Sequence, residues 1–447
     1  MNFPTKLFAL ALLAAGCGSS NSSGGFAAAP GTGGTGSPPQ LTPYQLLKQD
    51  ILIEADCWDV QPRMIAAGLG FTSIIGVPGL DVTQPTLSES LTRAAGGTWN
   101  SVANPSGAIP TLGAFTSAVT PQGVAVTYGV PVVNCDGLPV EFSWPILPST
   151  LDATDFKVTL NDGTTVTPQT AGINPNFDFN ERAVAVLFGK FGNRFGPDDP
   201  RARYPVSVEV VADGTPLQLM GPNLQRFVAV GLKAMSNGTP YTDPEVAPER
   251  RGGPRLVGAK LTRMSAIGDG APSFLRFATP NDGIALYGGR AQYRLRVYTS
   301  GGFSPDGVRG MFPTEFARYF RLRAGNQLLT QTDVPYSVNG GSLQIVGLAE
   351  LGLALPLYDD TYQEDQDNQI DIILEGDEKA MRAITQVEVP SVAPYSPLYN
   401  PGGPGNQPTP GVRYSAPSPP HTVDVLIALD NPLTVTYIDP AVSPPTP

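Results

Sequence analysis

Phe142-Ser143-Trp144-Pro145-Ile146-Leu147-Pro148-Ser149-Thr150-Leu151, continued by Phe156-Lys157-Val158-Thr159-Leu160, decides the fold class. Val140, Phe142 and Trp144 alternate with Glu141 and Ser143, so one face of a strand is apolar. Pro145 and Pro148 lack the N–H that a ladder needs and break the run. Phe156, Val158 and Leu160 restart the period of two. Asn161-Asp162-Gly163 then marks a tight hairpin turn, with 164–167 as the returning strand. A weaker echo runs from Phe303-Ser304-Pro305 through Pro313-Thr314 to Phe320-Arg321-Leu322, which suggests two related β modules.

Further strands are expected at 183–188 and 205–211, closed by Asp213-Gly214. A second set follows at 256–261, 293–298, 342–346 and 369–374. A short helix is expected over 377–384 with Asp377 as its N-cap. Segments 423–429 and 433–437 read as a closing hairpin around Asp430-Asn431-Pro432. The chain carries 50 Gly and 47 Pro in 447 residues, which disfavours long helices and favours short strands with many turns. The expectation is a mainly β protein with two β-sandwich modules, 137–235 and 255–447. A polar linker, 236–254, joins them, and a Pro/Gly-rich loop, 391–420, interrupts the second. A small helical and irregular region, 41–136, precedes them. Thr42, Pro43 and Gln45 form a helix-start signature for a helix over 43–55. Thr86 and Glu89 do the same for 87–95, while 124–128 (Val-Ala-Val-Thr-Tyr) reads as a strand.

The first module resembles the bacterial Ig-like domains of S-layer and other cell-surface proteins. The residues that carry the resemblance are Phe142-Ser143, Pro145, Ser149-Thr150-Leu151, Phe156 and Val158. Trp144 stands where that family commonly has a charged residue, and Leu147 where it commonly has Asp. The resemblance implies an Ig-like sandwich of about a hundred residues and brings no catalytic residue.

The N-terminus reads as a targeting segment, 1–16. Lys6 supplies a positive flank, 7–13 a short apolar run, and Ala14-Ala15-Gly16 small side chains for a peptidase. Leu13-Ala14-Ala15-Gly16-Cys17 resembles a bacterial lipobox, although Ala14 occupies the place where Leu is usual. The resemblance implies that Cys17 becomes the lipidated first residue. Gly18 after it, rather than Asp, goes with the outer membrane in the lipoproteins it resembles. The alternative is an ordinary secretory signal with an incidental cysteine. Residues 17–40, almost wholly small and polar, read as a flexible tether.

The net charge is −11. It argues against nucleic-acid binding, whose phosphates require clustered Lys and Arg. Two cysteines remain beyond Cys17. In an exported chain Cys57 and Cys135 are most simply one disulfide, which would restrict the unfolded chain by about 3–5 kcal/mol. The alternative is two buried thiols.

His421 is the only histidine and lies in a Pro-rich stretch, so a Ser-His-Asp machine and a His/Cys zinc site are disfavoured. Asp359 to Asp371 is the densest acidic run. Asp365, Asp367 and Asp371, with a carbonyl from Gln369, could converge on calcium, the one cofactor the sequence suggests. The plainer reading is a solvated acidic loop. A carboxylate-only hydrolase acting on polysaccharide would draw on Glu364 and Asp367, with Asp360 and Glu375 as further acids. Tyr358, Tyr362, Tyr395 and Tyr399 could stack on a sugar, and Tyr395, Tyr399 and Tyr414 offer a surface for a glycan or protein ligand. The functional expectation is a non-catalytic envelope lipoprotein acting as a surface binding or structural module, held to the membrane by its lipid. The hydrolase is the alternative.

Overall fold

The computed structural model describes residues 41–68, 71–97, 99, 112–173, 176–193, 195, 199–236, 255–267, 270–272, 274, 283–301, 311–351, 368–390 and 421–442. The protein is mainly β, built from several antiparallel sheets with short helices between them.

The quoted stretch holds the first block together. Strand Cys135–Phe142 sits in a five-stranded sheet with Met64–Ala67, Phe71–Ile75, Val184–Gly189 and Thr170–Gly172. Strand Phe156–Leu160 lies in a four-stranded sheet with Pro205–Val210, Lys233–Met235 and Thr165–Val166. Leu138, Val140 and Phe142 from one sheet and Phe156, Val158, Val208 and Val210 from the other share one buried core. Trp144 fills the end of that core, its indole N–H donating to Asp59 O at 2.9 Å. Gly221 lies against the face of this indole, where a Cβ would come within 2.3 Å of the ring. The expected turn at Asn161-Asp162-Gly163 is present, with Gly163 at φ 84°.

The second block has the same two-layer logic. Tyr293–Thr299, Leu256–Arg263, Gln369–Gly376, Gly341–Ala349, Tyr336–Val338 and Leu426–Ile427 form a six-stranded sheet. Arg321–Ala324, Gln327–Leu329, Ile384–Val389 and His421–Asp424 form a four-stranded one. Leu295, Val297, Ile345, Ile372 and Leu374 meet Leu322, Val387 and Val389 in a common core. Asp377 precedes the helix Glu378–Met381, but its carboxylate accepts from Ser342 N at 2.8 Å instead of capping the helix.

Four local expectations are corrected. The Thr42 capping box forms, with Thr42 N donating to Gln45 Oε1 at 2.9 Å, yet the helix is only Pro43–Leu47. Asp50 turns to accept from Ser149 N (2.8 Å) and Ser149 Oγ (2.7 Å), and Ile51–Asp56 becomes a strand. Its partner is the C-terminal strand Thr434–Ile438, in antiparallel register from Ile51↔Ile438 to Asp56↔Thr434. The expected hairpin over 423–437 is therefore absent. Leu426–Ile427 instead runs parallel to Lys260 and Leu261, and the chain then crosses to the first strand. Residues 124–128 are helical, within Pro121–Tyr128. Thr120 Oγ1 caps Gly123 N at 2.9 Å, Pro121 opens the first turn and Gly129 closes it at φ 77°, which outweighs two β-branched valines. The helix expected over 87–95 is Pro85–Ala94 and lacks the expected box. Glu89 pairs with Arg93, and the Ser88 hydroxyl serves Asp81.

The expected disulfide is also overturned. Cys57 and Cys135 are both buried free thiols. They belong to opposite faces of the five-stranded sheet: Cys57 packs in the core shared with Phe142, Cys135 in the cluster of Tyr128 and Phe188. Burial pushes the Cys57 thiol up to about 12.

Candidate functional site

The most charged place among the described residues is buried, and it lies where the two blocks meet. It begins with sequence that reads as core. Tyr293-Arg294-Leu295-Arg296-Val297-Tyr298 alternates, so its arginines would ordinarily face water. All seven residues of Tyr293–Thr299 are buried, because the six-stranded sheet is covered on both sides. Leu295 and Val297 face the second core, while Arg294 and Arg296 face the first block.

Arg296 is the centre. Its Nε and Nη2 reach the two oxygens of Asp371 at 2.7 and 3.0 Å, a forked contact that matches the planar guanidinium. Nη1 lies 2.5 Å from Glu181 and 3.4 Å from Asp56, and Nη2 lies 3.6 Å from Glu350. Arg294 Nη2 lies 3.5 Å from Asp56. Lys260 contacts the other Asp56 oxygen and donates to the carbonyls of Cys57 (3.2 Å), Pro432 (3.0 Å) and Leu433 (3.2 Å). Every side chain in this set is at most 7% exposed. The charges come from six parts of the chain: Asp56 ends the first strand, Glu181 lies in a buried connection, Lys260 is in Leu256–Arg263, both arginines are in Tyr293–Thr299, Glu350 follows Gly341–Ala349, and Asp371 is in Gln369–Gly376.

Burial alone pushes the Asp56 carboxyl up, but Lys260, Arg294 and Arg296 together outweigh it and hold it below the usual range. Burial lowers Lys260, and Asp56 offsets only part of that. Around the cluster, Trp58 stacks on Tyr298 at 4.5 Å, the Lys260 ammonium sits 5.9 Å from the Trp58 ring, and Tyr298 OH donates to Ala183 O at 3.2 Å. Glu141, on the neighbouring sheet, is wholly buried, and neither carboxyl oxygen has a hydrogen-bond partner. Burial raises it well above the usual carboxylate range, and burial likewise raises the Tyr298 phenol well above its ordinary value.

Four carboxylates thus face three cations in a buried interior, with a fifth buried acid, Glu141, on the neighbouring sheet. Charges so placed are held by one another, and losing one leaves its partners uncompensated. The arrangement can clamp strands from both blocks. Its acids are turned to guanidinium and ammonium groups, away from solvent.

The residues singled out by sequence fare unevenly. Asp371, expected as a calcium ligand, is held by Arg296, and Gln369 is buried beside it at the start of the same strand. Asp365, Asp367, Glu364, Asp360, Tyr358, Tyr362, Tyr395, Tyr399, Tyr414 and Cys17 lie outside the described residues. Glu375 pairs with Arg290 at 2.8 Å. His421 opens an edge strand, and burial first, then Arg255, lowers it to about 4, which leaves it neutral. Among the described residues no group of three or more His, Cys, Asp or Glu is placed to hold a metal ion, and no helix is long and apolar enough to cross a membrane. The cluster was missed because its members are scattered through the sequence. The one available signal was a charge inside an apolar run, as in Ile370-Asp371-Ile372 and Leu295-Arg296-Val297. No protein-family model, curated protein or solved structure matches the chain.

Proposed function

We propose that the protein is a lipid-anchored component of a bacterial cell envelope whose β body serves as a non-catalytic binding or structural module. The observation that carries this reading is the buried ion cluster. It joins the first strand and both β blocks into one body, placed directly after the small-residue segment 17–40. A folded β body preceded by a run of small, polar residues suits presentation of a surface at a distance from a membrane. The lipobox-like string ending in Cys17 supports the anchor, and the acidic net charge supports a partner other than nucleic acid. The sharing of one core by the sheets of Cys135–Phe142 and Phe156–Leu160 supports the Ig-like reading of 137–235.

The test is fractionation of cells expressing the full chain. The wild type should sediment with membranes and be released by detergent. Cys17→Ser should appear in the soluble fraction. Retention of that variant in membranes refutes the anchor. A gel-shift and glycan-array screen of the detergent-purified protein then identifies the ligand class.

A further inference from the structure

The segment that closes the ion cluster carries few buried side chains: Ala428 and Leu429, the latter in the second core, and Val435 against the first strand. Leu426–Ile427 contributes two half-buried residues at the edge of the six-stranded sheet. Ala428 N then bonds Leu261 O at 2.9 Å, and Asp430 meets Arg382 at 2.5 Å. Pro432 and Leu433 turn their carbonyls onto the Lys260 ammonium, and Leu433 O also accepts from Cys57 N at 2.8 Å. Among the described residues Thr434–Ile438 pairs with the first strand alone, in a two-stranded sheet, and Val435 is its single buried residue. Val435 packs with Leu52, Ala55, Leu147 and Met220. Beyond it, Tyr437 OH accepts from Arg226 at 2.7 Å, which ties the strap to the first block.

Two-stranded ribbons are marginal on their own, and elements with few buried contacts open before the whole molecule does. Beneath this ribbon lie Lys260 and Asp56, charges that water would solvate readily. We propose that residues 426–438 form a strap that opens as a unit ahead of global unfolding. Closed, it seals the ion cluster and fixes the first strand. Open, it admits water to Lys260 and Asp56 and frees the two blocks to shift against each other. The strap is a conformational device built into the body, independent of the anchor at Cys17.

The two native thiols report on it. Cys57 lies between the first strand and Lys260, directly beside Leu433, whereas Cys135 is on the far face of the five-stranded sheet. Alkylation of the folded full chain is followed by peptide mapping, which reads each cysteine separately. Val435→Ala removes the one buried side chain of the strap's terminal strand and should speed labelling of Cys57 about 30-fold, with Cys135 unchanged. Tyr437→Phe, a milder change that loses the hydrogen bond from Arg226 and keeps the ring beneath its guanidinium, should speed Cys57 about 3- to 10-fold and again leave Cys135 unchanged. Equal acceleration at both cysteines means global unfolding and overturns the proposal, as does no acceleration at Cys57. If Val435→Ala fails to fold, the Tyr437→Phe result decides alone.

Discussion

Replacing Arg296 with methionine removes the cation that the most carboxylates share. Methionine fits the space of the aliphatic stem, so the loss is mainly one of charge. Glu181, Asp371, Asp56 and Glu350 all lie within 3.6 Å of the guanidinium; Asp56 retains Lys260 and Arg294, and Asp371 keeps the more distant Arg294 at 4.0 Å. Breaking a buried pair by removing one partner costs about 3–5 kcal/mol, most of it from the charge left behind. For a chain of this size that corresponds to a fall in Tm of about 4–6 °C at pH 8. The sign of the pH dependence follows from linkage. Without the guanidinium the acidic members of the cluster bind protons more tightly folded than unfolded. The deficit is therefore full well above the ordinary carboxylate range and shrinks as pH falls toward it. Melts of Arg296→Met and wild type at pH 8 and pH 5 should show the gap narrowing. Adding Asp371→Asn should restore part of the loss, because one orphaned charge disappears. An unchanged Tm at pH 8, a gap that widens toward pH 5, or a double variant worse than the single by the full cost of Asp371→Asn would refute the reasoning.

Other outcomes follow from single sites. Asp155 accepts from Leu217 N and Asp152 N, and burial, reinforced by Asp152 and Asp213, raises it to about 7. Its contribution is intact below the ordinary carboxylate range and is lost as pH rises toward 7. Asp155→Asn should therefore cost stability at pH 5 and cost less, or nothing, at pH 9 in paired melts; a cost that grows with pH would contradict this. Gly221→Ala drives a methyl group into the Trp144 ring and should destabilise by about 1–3 kcal/mol in urea titration, with a red shift of Trp fluorescence if the indole is displaced. Reductant should leave the Tm unchanged, since Cys57 and Cys135 carry no bond, and non-reducing peptide maps should recover both as thiols.

Much of the β framework was readable because it is local. Alternation located Phe156–Leu160, Pro205–Val210 and Tyr293–Thr299, and Asn161-Asp162-Gly163 fixed the hairpin turn. The helix Pro121–Tyr128 was equally legible in Thr120, Pro121 and Gly129, but Val124 and Val126 drew the reading toward a strand. The first strand was hidden for a different reason. Nothing near residues 51–56 announces a partner at 434–438, and a sound capping box at Thr42 pointed to a longer helix. The ion cluster was hidden by the same non-locality. Arg294 and Arg296 look solvent-facing unless a second layer is known to cover their side of the sheet, and that layer comes from residues 56 and 181.

The pairing of the first strand with the last also sets the order of events in folding. Glu54 N bonds Thr436 Oγ1 across 382 residues of sequence. Closing so long a loop is entropically unfavourable, and contacts of this separation form late. A chain emerging N-terminus first can complete the sheets of its first block, but Ile51–Asp56 has no ladder until residue 438 arrives. Until then its edge stays unpaired and able to pair wrongly. The first strand is completed only once residues 434–438 are present, and a chain interrupted before them lacks the means to finish its beginning.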